Sequence, residues 1–430
     1  MRLSILNLKY SPNLGDGVIA ECLEHSIKEQ PQITEIESCD LAGRASYGQG
    51  LNKSRQPIRA VISRLPKSLR TPALSFALIV LISSKLRGFY RSKLQNTDLV
   101  LIGGGQLISD EDMNFCRKIE AAVSSIARPN AAIGLHAVGV ARHFTPKGLS
   151  LFQRAFAKQL SLVNVRDSKS IERWHANFET PIAEKVWDPG FLASDLYGTP
   201  ESPERKRPLI GIGITNPDTL ALHHDGSSPA LSRDDYLEYF VNLIARSIHH
   251  ELDVELFTNG AFDDQTFAEQ VLEAYRQQAP GSHDRVRLAK RPTTPKELSL
   301  TIANYDGLIA HRLHANIIAF SYEIPHVGLG WNSKMEGCFS EIGRRKYLLL
   351  GHEQSDAERA ISLMQDAMMD PIDSDLLSSI KKQINEQTAA AVKQLERVAL
   401  ERSEDSNLRG SRPQVGPETK TNLDRSETDV

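Results

Sequence analysis

The stretch DGLIAHRLHANIIAFSYEIPHVGLG, residues 306–330, holds two short apolar runs, Gly307–Ala310 and His326–Leu329, on either side of an apolar helical segment, NIIAF. A strand, a helix and a strand in that order belong to a parallel sheet covered by helices. The same alternation extends outward. Strand candidates Leu209–Ile214, Val254–Thr258 and Val286–Leu288 precede it, with helices over Asp234–His249 and Asp264–Gln278. In the first half the candidates are Leu3–Leu8, Leu99–Ile102, Ala132–Val138 and Ser161–Val165. Several run straight into glycine or a polar turn, so loops are expected at the strand C-termini. The expected class is α/β with parallel sheets.

Between the halves lies TPESPERKRP, residues 199–208, rich in proline and charge and without apolar periodicity. It reads as a linker separating domains over 1–198 and 209–372. From Asp373 to about Arg402 a long polar helix is expected, packing back through a stripe that includes Leu377, Ile380, Ile384, Val392 and Leu395. Residues 403–430, almost without large apolar side chains, read as a disordered tail.

Composition narrows the class of function. The chain has 430 residues, 40% hydrophobic and 24% charged, which suits two or three globular domains. Lys and Arg total 51 against 54 acidic residues, a net charge of −3 that argues against a protein coating nucleic acid by bulk charge. No nucleic-acid partner is expected. The four cysteines, Cys22, Cys39, Cys116 and Cys338, are scattered without a CxxC pair, which points to a reducing cytoplasm. The N-terminus lacks the apolar run of a secretory signal. The longest apolar run, Leu74–Ile82, is shorter than the ~20 residues of a bilayer-spanning helix, so no span is expected.

Three places suit chemistry. Asn13-Leu14-Gly15-Asp16-Gly17 follows the opening strand and precedes a helix expected near Val18, where backbone amides can approach an anion. The plainer role is a capped turn. Gly103-Gly104-Gly105 lies at the end of DLVLI, where open α/β sheets bind ligands, or else where the chain packs tightly. It is not a complete GxGxxG fingerprint, and the chain has no P-loop. The acidic run Asp110-Glu111-Asp112 reads as helix capping, and no metal is expected. The densest signal is His311-Arg312-Leu313-His314 after the strand DGLIA. Two histidines and an arginine in a core would each need a partner, so they are expected to face a cleft. Arg312 offers a fork for carboxylate or phosphate, and an imidazole at His314 can exchange protons near neutrality. Lys334, after the strand ending at Gly330, is a second candidate cation.

In order, NLGDGVI, DLVLIGGGQLI, IGLHAVGV, VRDSKS, DPGFLAS, IGIGI and AHRLHANIIAFSYEIPHVGLG resemble the polysaccharide pyruvyl transferase family over roughly residues 1–345. The resemblance implies two Rossmann-like domains in a glycosyltransferase-B-like arrangement. It also implies transfer from phosphoenolpyruvate, the donor substrate, onto sugar hydroxyls to leave a pyruvate ketal, with no further cofactor. Arg312 and His314 match the family's RxH motif, and His311 is expected to assist. Asn13, Gly15, Asp16, Gly103, Gly104 and Gly105 are expected to line the opposite wall, while Arg166 and Asp167 are expected to stabilise the cleft or contact the acceptor. Two departures stand out: His311 occupies a position where relatives carry serine, and Asn332 replaces an aspartate before Lys334. The expected acceptor is a saccharide, polymeric or carried on a polyprenyl lipid. A nucleotide-sugar glycosyltransferase and a non-catalytic sugar-binding component are the competing readings.

One feature lies outside the resemblance. Between Leu41 and Thr97 there is no acidic residue, yet eleven basic ones, from Arg44 to Lys93, flank the apolar run. Such an insert, about 41–97, suits peripheral contact with an anionic membrane at its inner face, where a lipid-carried acceptor would dock, or else an ordinary buried helix with solvated basic loops.

Overall fold

A computed structural model describes residues 1–48, 67–157, 160–201, 204–222, 231–279, 281, 283–330 and 333–410. The first sheet contains β1 (Arg2–Asn7), β2 (Glu35–Asp40), β3 (Leu99–Ile108), β4 (Ala132–Val140), β5 (Leu160–Val165) and β6 (Ala183–Lys185). The second contains β7 (Leu209–Gly213), β8 (Asp253–Phe257), β9 (Val286–Leu288), β10 (Gly307–Ala310), β11 (His326–Gly330) and β12 (Leu348–Leu350). Their orders are β2-β1-β3-β4-β5-β6 and β12-β11-β10-β7-β8-β9, and the strands in each pair run parallel. Helices lie between successive strands, as the alternating sequence pattern requires, giving two Rossmann-like lobes.

This order positions the site. Strand order reverses at β1/β3 and at β7/β10, and in open α/β sheets ligands bind beyond the strand C-termini at such points. The chain segments leaving β1, β3, β7 and β10 are therefore the ones aimed at the space between the lobes.

The strands that escape the sequence pattern, β2, β6 and β12, all sit at sheet edges. An edge strand pairs on one side only, and such strands are often short or polar; β2 reads EIESCD and the other two have three residues each. β3 also runs past the expected Ile102 to Ile108. Gly103 and Gly105 stay paired to β4 ahead of a register shift between Gly105 and Ile108, and Gly104 and Gly105 have φ of +76° and +77°. The first helix, Leu14–Lys28, begins before the expected Val18.

The last helix, Ser374–Gly410, reaches beyond Arg402, so the tail expected from 403 does not begin there. Adding residues to an existing helix requires no new nucleation, and Arg402 anchors this stretch by donating to the Ala131 carbonyl at 3.0 Å. Residues 411–430 lie outside the described residues. Leu377, Ile380 and Ile384 pack in a cluster that joins Leu14, Val18 and Cys22 of the first lobe to Leu298 and Ile302 of the second, whereas Ala391, Val392, Leu395 and Ala399 pack with Leu3, Ile5, Leu99 and Leu101 of the first. Buried His136 ties the strap to the sheet, 3.2 Å from Asn164 Nδ2 and 3.4 Å from Thr388 Oγ1.

Part of the basic insert, 49–66 with Lys53, Arg55, Arg59 and Arg64, lies outside the described residues, as do the side chains of Lys67 and Arg70. The remainder is helical over Lys67–Leu81, a π-helical turn Ile82–Leu86, and Arg87–Leu94. Because the helix continues past the short apolar run, Pro72–Leu94 is long enough and, at a mean hydropathy of 1.4, apolar enough to meet the bare length-and-composition requirement of a membrane span.

Candidate active site

At the exit of β10 the two histidines part company. His311 is fully buried, with its ring edge against Tyr236 and Phe240 at centroid distances of 6.0 and 5.8 Å. Burial, helped by the neighbouring Arg312 charge, pulls its pKa down to about 3. It is a neutral core imidazole, and the expectation that it faces a cleft fails because its side chain turns into the layer of aromatic rings beside the sheet. Arg312 N-caps the helix Leu313–Ser321 and donates from Nη2 to Asp264 Oδ2 at 2.6 Å. Asp264 is itself fixed by the Asn216 backbone N–H, which donates to its Oδ1 at 2.8 Å. The guanidinium expected to clamp a substrate anion already holds a carboxylate, although its buried Nε has no acceptor among the described residues.

His314 does reach the lobe boundary. A Cβ added to Gly15 of the first lobe would lie 2.7 Å from His314 Cβ and 2.9 Å from its Nδ1, so glycine is what lets the imidazole approach. Its Nε2 lies 3.9 Å from Asp188 Oδ2, and that oxygen lies 3.7 Å from Arg166 Nη1.

Arg166 leaves β5 with its guanidinium against Gly139, where a Cβ would sit 3.2 Å from Nε, and with Nε 3.6 Å from Asp167. Asp188 N-caps the turn Pro189–Leu192, its Oδ1 accepting from the Gly190 N–H at 2.9 Å. Capping occupies one oxygen and leaves Oδ2, which takes no hydrogen bond among the described residues, directed at Arg166 and His314. Burial raises the Asp188 pKa, opposed by Arg166 and the Gly190 N–H. Trp187, Leu313, Cys338 and Glu341 complete the lining of a cavity of about 20 Å³ beside this group. Burial also raises the Glu341 pKa, opposed by Lys185 at 3.0 Å.

The other expected wall serves mainly to join the lobes. Leu14 N–H donates to the Asn259 carbonyl at 2.8 Å, and Asn259 Nδ2 donates to Asn13 Oδ1 at 3.4 Å. The Asp16 N–H turns back to the Asn13 carbonyl at 3.1 Å. A Cβ at Gly103 or Gly104 would come within 2.6 Å of Leu23 Cδ2 or Ile19 Cγ2, so these two glycines seat the first helix on the sheet. A Cβ at Gly105 would meet nothing within 4 Å, which makes it the one of the three beside open space. Lys334 begins the helix Ser333–Glu341, but its side chain lies outside the described residues, as do Trp331 and Asn332 entirely.

The structure thus gathers His314, Gly15 and Arg166, keeps Arg312 one ion pair behind them, and separates His311 from the group. Asp188 and Glu341 escaped the sequence reading. Asp188 lies within the motif DPGFLAS, but an aspartate before Pro-Gly reads as a turn cap, and its second oxygen acquires meaning only when the lobes meet.

A family profile described as polysaccharide pyruvyl transferase matches residues 13–333. No curated protein sequence matches the chain. Among solved structures, it is similar to the UDP-GlcNAc 2-epimerase of Methanocaldococcus jannaschii at 10% identity, covering 92% of this chain and 100% of that one with a TM-score of 0.54. The S. aureus MnaA–UDP co-structure is similar at 12% identity, with coverages of 96% and 98% and a TM-score of 0.50. The Neisseria meningitidis UDP-GlcNAc 2-epimerase bound to UDP-GlcNAc is similar at 11% identity, with coverages of 92% and 100% and a TM-score of 0.50. At such identities the likeness is one of fold: two Rossmann-like lobes in a glycosyltransferase-B-like arrangement over most of the chain.

Proposed function

The chain belongs to the polysaccharide pyruvyl transferase family, and from that premise we propose that it moves the pyruvyl unit of phosphoenolpyruvate onto two hydroxyls of one sugar residue. The acceptor is a polysaccharide or its lipid-linked precursor, and the product is a cyclic ketal. Membership makes the chain a transferase with a saccharide acceptor; donor, bond and residue roles are our reading.

What supports that reading is the meeting of Arg166, Asp188 and His314 across the lobe boundary. The donor carries a carboxylate and a phosphate, so its site needs cations that can exchange partners. Arg166 suits this need, because its carboxylate neighbours stand at 3.6 and 3.7 Å rather than at close hydrogen-bonding distance. Arg312 contributes charge from behind, with Nε as the donor left for a substrate oxygen.

In the proposed reaction a proton adds to the methylene carbon of the donor, making the central carbon electrophilic. One sugar hydroxyl bonds to that carbon, the carbon–oxygen bond to phosphate breaks, and the second hydroxyl closes the ring. The two hydroxyl protons end on the new methyl group and on the departing phosphate, so the balance is neutral. His314 carries these protons, and Asp188 orients its imidazole and stabilises the charged form. The two groups stand 3.9 Å apart, close enough for the carboxylate to favour the charged imidazole. The cavity beside them, about 20 Å³, has room for about one water, so the donor needs more space than this arrangement leaves.

The decisive experiment incubates the protein with phosphoenolpyruvate and a panel of oligosaccharides. Acceptor-dependent phosphate release together with a pyruvylated sugar is expected. Nucleotide release from a nucleotide sugar, with phosphoenolpyruvate untouched, would overturn the reading.

A further inference from the structure

We infer that the helix over 72–94 docks this protein on an anionic lipid surface, lying in the interface rather than crossing it. The inference is independent of the reaction proposed above. Its inner face is fixed: Ile82, Leu86, Tyr90 and Leu94 are buried in the core of the first lobe, and the Tyr90 hydroxyl donates to the Leu41 carbonyl at 2.7 Å. Its outer face is apolar at one end and cationic at the other. Phe76, Ile79 and Val80 are 68%, 41% and 48% exposed, and they fall within about a turn of helix. The other exposed large apolar residues among those described, Ile182, Phe262, Met369 and Leu400, are scattered along the chain.

At the end of the π-helical turn and beyond it, Lys85, Arg87 and Arg91 are exposed, and none has a carboxylate within ion-pair distance among the described residues. Lys93 does not belong to this set, because it pairs with Glu37 at 2.5 Å. A face on which aromatic and branched apolar groups adjoin unneutralised cations matches the boundary of a bilayer. There rings enter the acyl region and ammonium and guanidinium groups remain among lipid phosphates. The charge is local, in a chain of net charge −3, and the opposite charge it calls for is that of the lipid headgroups. Length and hydropathy alone would also suit a span. A span would require pulling Tyr90 and Leu94 out of the core to which they belong.

The test is co-sedimentation of the full chain with phosphatidylcholine vesicles, with and without phosphatidylglycerol, at low and high salt. Binding is expected with phosphatidylglycerol at low salt and is lost at high salt. Each of Lys85→Ser, Arg87→Ser and Arg91→Ser weakens it about fivefold, and together on the order of a hundredfold. A second variant, Phe76→Ser with Val80→Ser, weakens binding while the thermal midpoint is unchanged, since both side chains are exposed. Three results would overturn the inference. One is a protein left in the supernatant with both vesicle types. Another is equal binding to phosphatidylcholine that resists salt and alkaline extraction, the mark of a span. The third is self-association in light scattering that Phe76→Ser abolishes, which would make the face a contact between copies.

Discussion

At the exit of β1 the chain presents backbone: Asn13, Leu14 and Gly15, with the Leu14 N–H already given to Asn259 and the Gly15 hydrogen facing an imidazole. At the exit of β10 it presents side chains: Arg312 held by Asp264, and His314 facing Asp188. Both segments leave a strand at a reversal of sheet order, and both looked like anion sites in the sequence. The difference between them is that glycine in the first lobe makes room for protein, while the second lobe supplies the polar groups assigned to substrate in the proposed reaction. The first exit is therefore a seat for the second.

The sharpest test of that contrast is His314→Ala. Loss of a general acid–base group lowers kcat by about 10²–10⁴-fold, and a nearly unchanged unfolding midpoint is expected. Turnover at the wild-type rate would remove His314 from the chemistry. His311→Leu should do the reverse, moving the midpoint and leaving kcat within about twofold, because a core group is exchanged rather than a reacting one.

Gly15→Ala sharpens the comparison from the other side. The added methyl group would press on His314 at 2.7 Å, and a displacement approaching 1 Å costs activity on the order of a hundredfold. If Gly15→Ala is fully active, the two exits do not depend on one another.

Acidity marks the interior histidines. His136, His311 and His326 are fully buried, and burial lowers their pKa values to about 4, about 3 and about 4. Each is neutral when folded and binds a proton more readily when unfolded. Their contribution to stability is therefore intact above the ordinary histidine pKa of ~6.5 and is lost as pH falls from there toward about 4. Near pH 5 the expected loss is about 2 kcal/mol for each, seen as a falling urea midpoint. A midpoint flat between pH 7 and 5 would mean that these rings are not sealed from water.

The smallest expected effect lies within the glycine triplet. Gly104→Ala and Gly105→Ala both force a side chain into positive φ, at roughly 1–2 kcal/mol each. Gly104→Ala also meets Ile19 and should be the less stable of the pair by about 1–3 kcal/mol in a urea titration. Equal losses would show that the helix yields at no cost and that the triplet is not a packing device.

The interior of each sheet was legible because central parallel strands are buried on both faces and read as continuous apolar runs. The RLH motif was legible because a cluster of cations at a strand exit is rare. The edge strands were not, since Glu35–Asp40 carries no such run. Neither was the role of Asp188, which depends on Arg166 and His314 arriving from separate elements. Nor could sequence divide His311 from His314: both are polar groups in one short segment, and the packing of Tyr236 and Phe240 decides which turns inward.

The strap formed by the last helix has a consequence for biosynthesis. Leu3, Ile5, Leu99 and Leu101 are translated well before Val392, Leu395 and Ala399, which cover them. The first lobe is completed only after the second has been made, and until the strap emerges it carries a bare oily surface that chaperones can bind and that favours clumping in their absence.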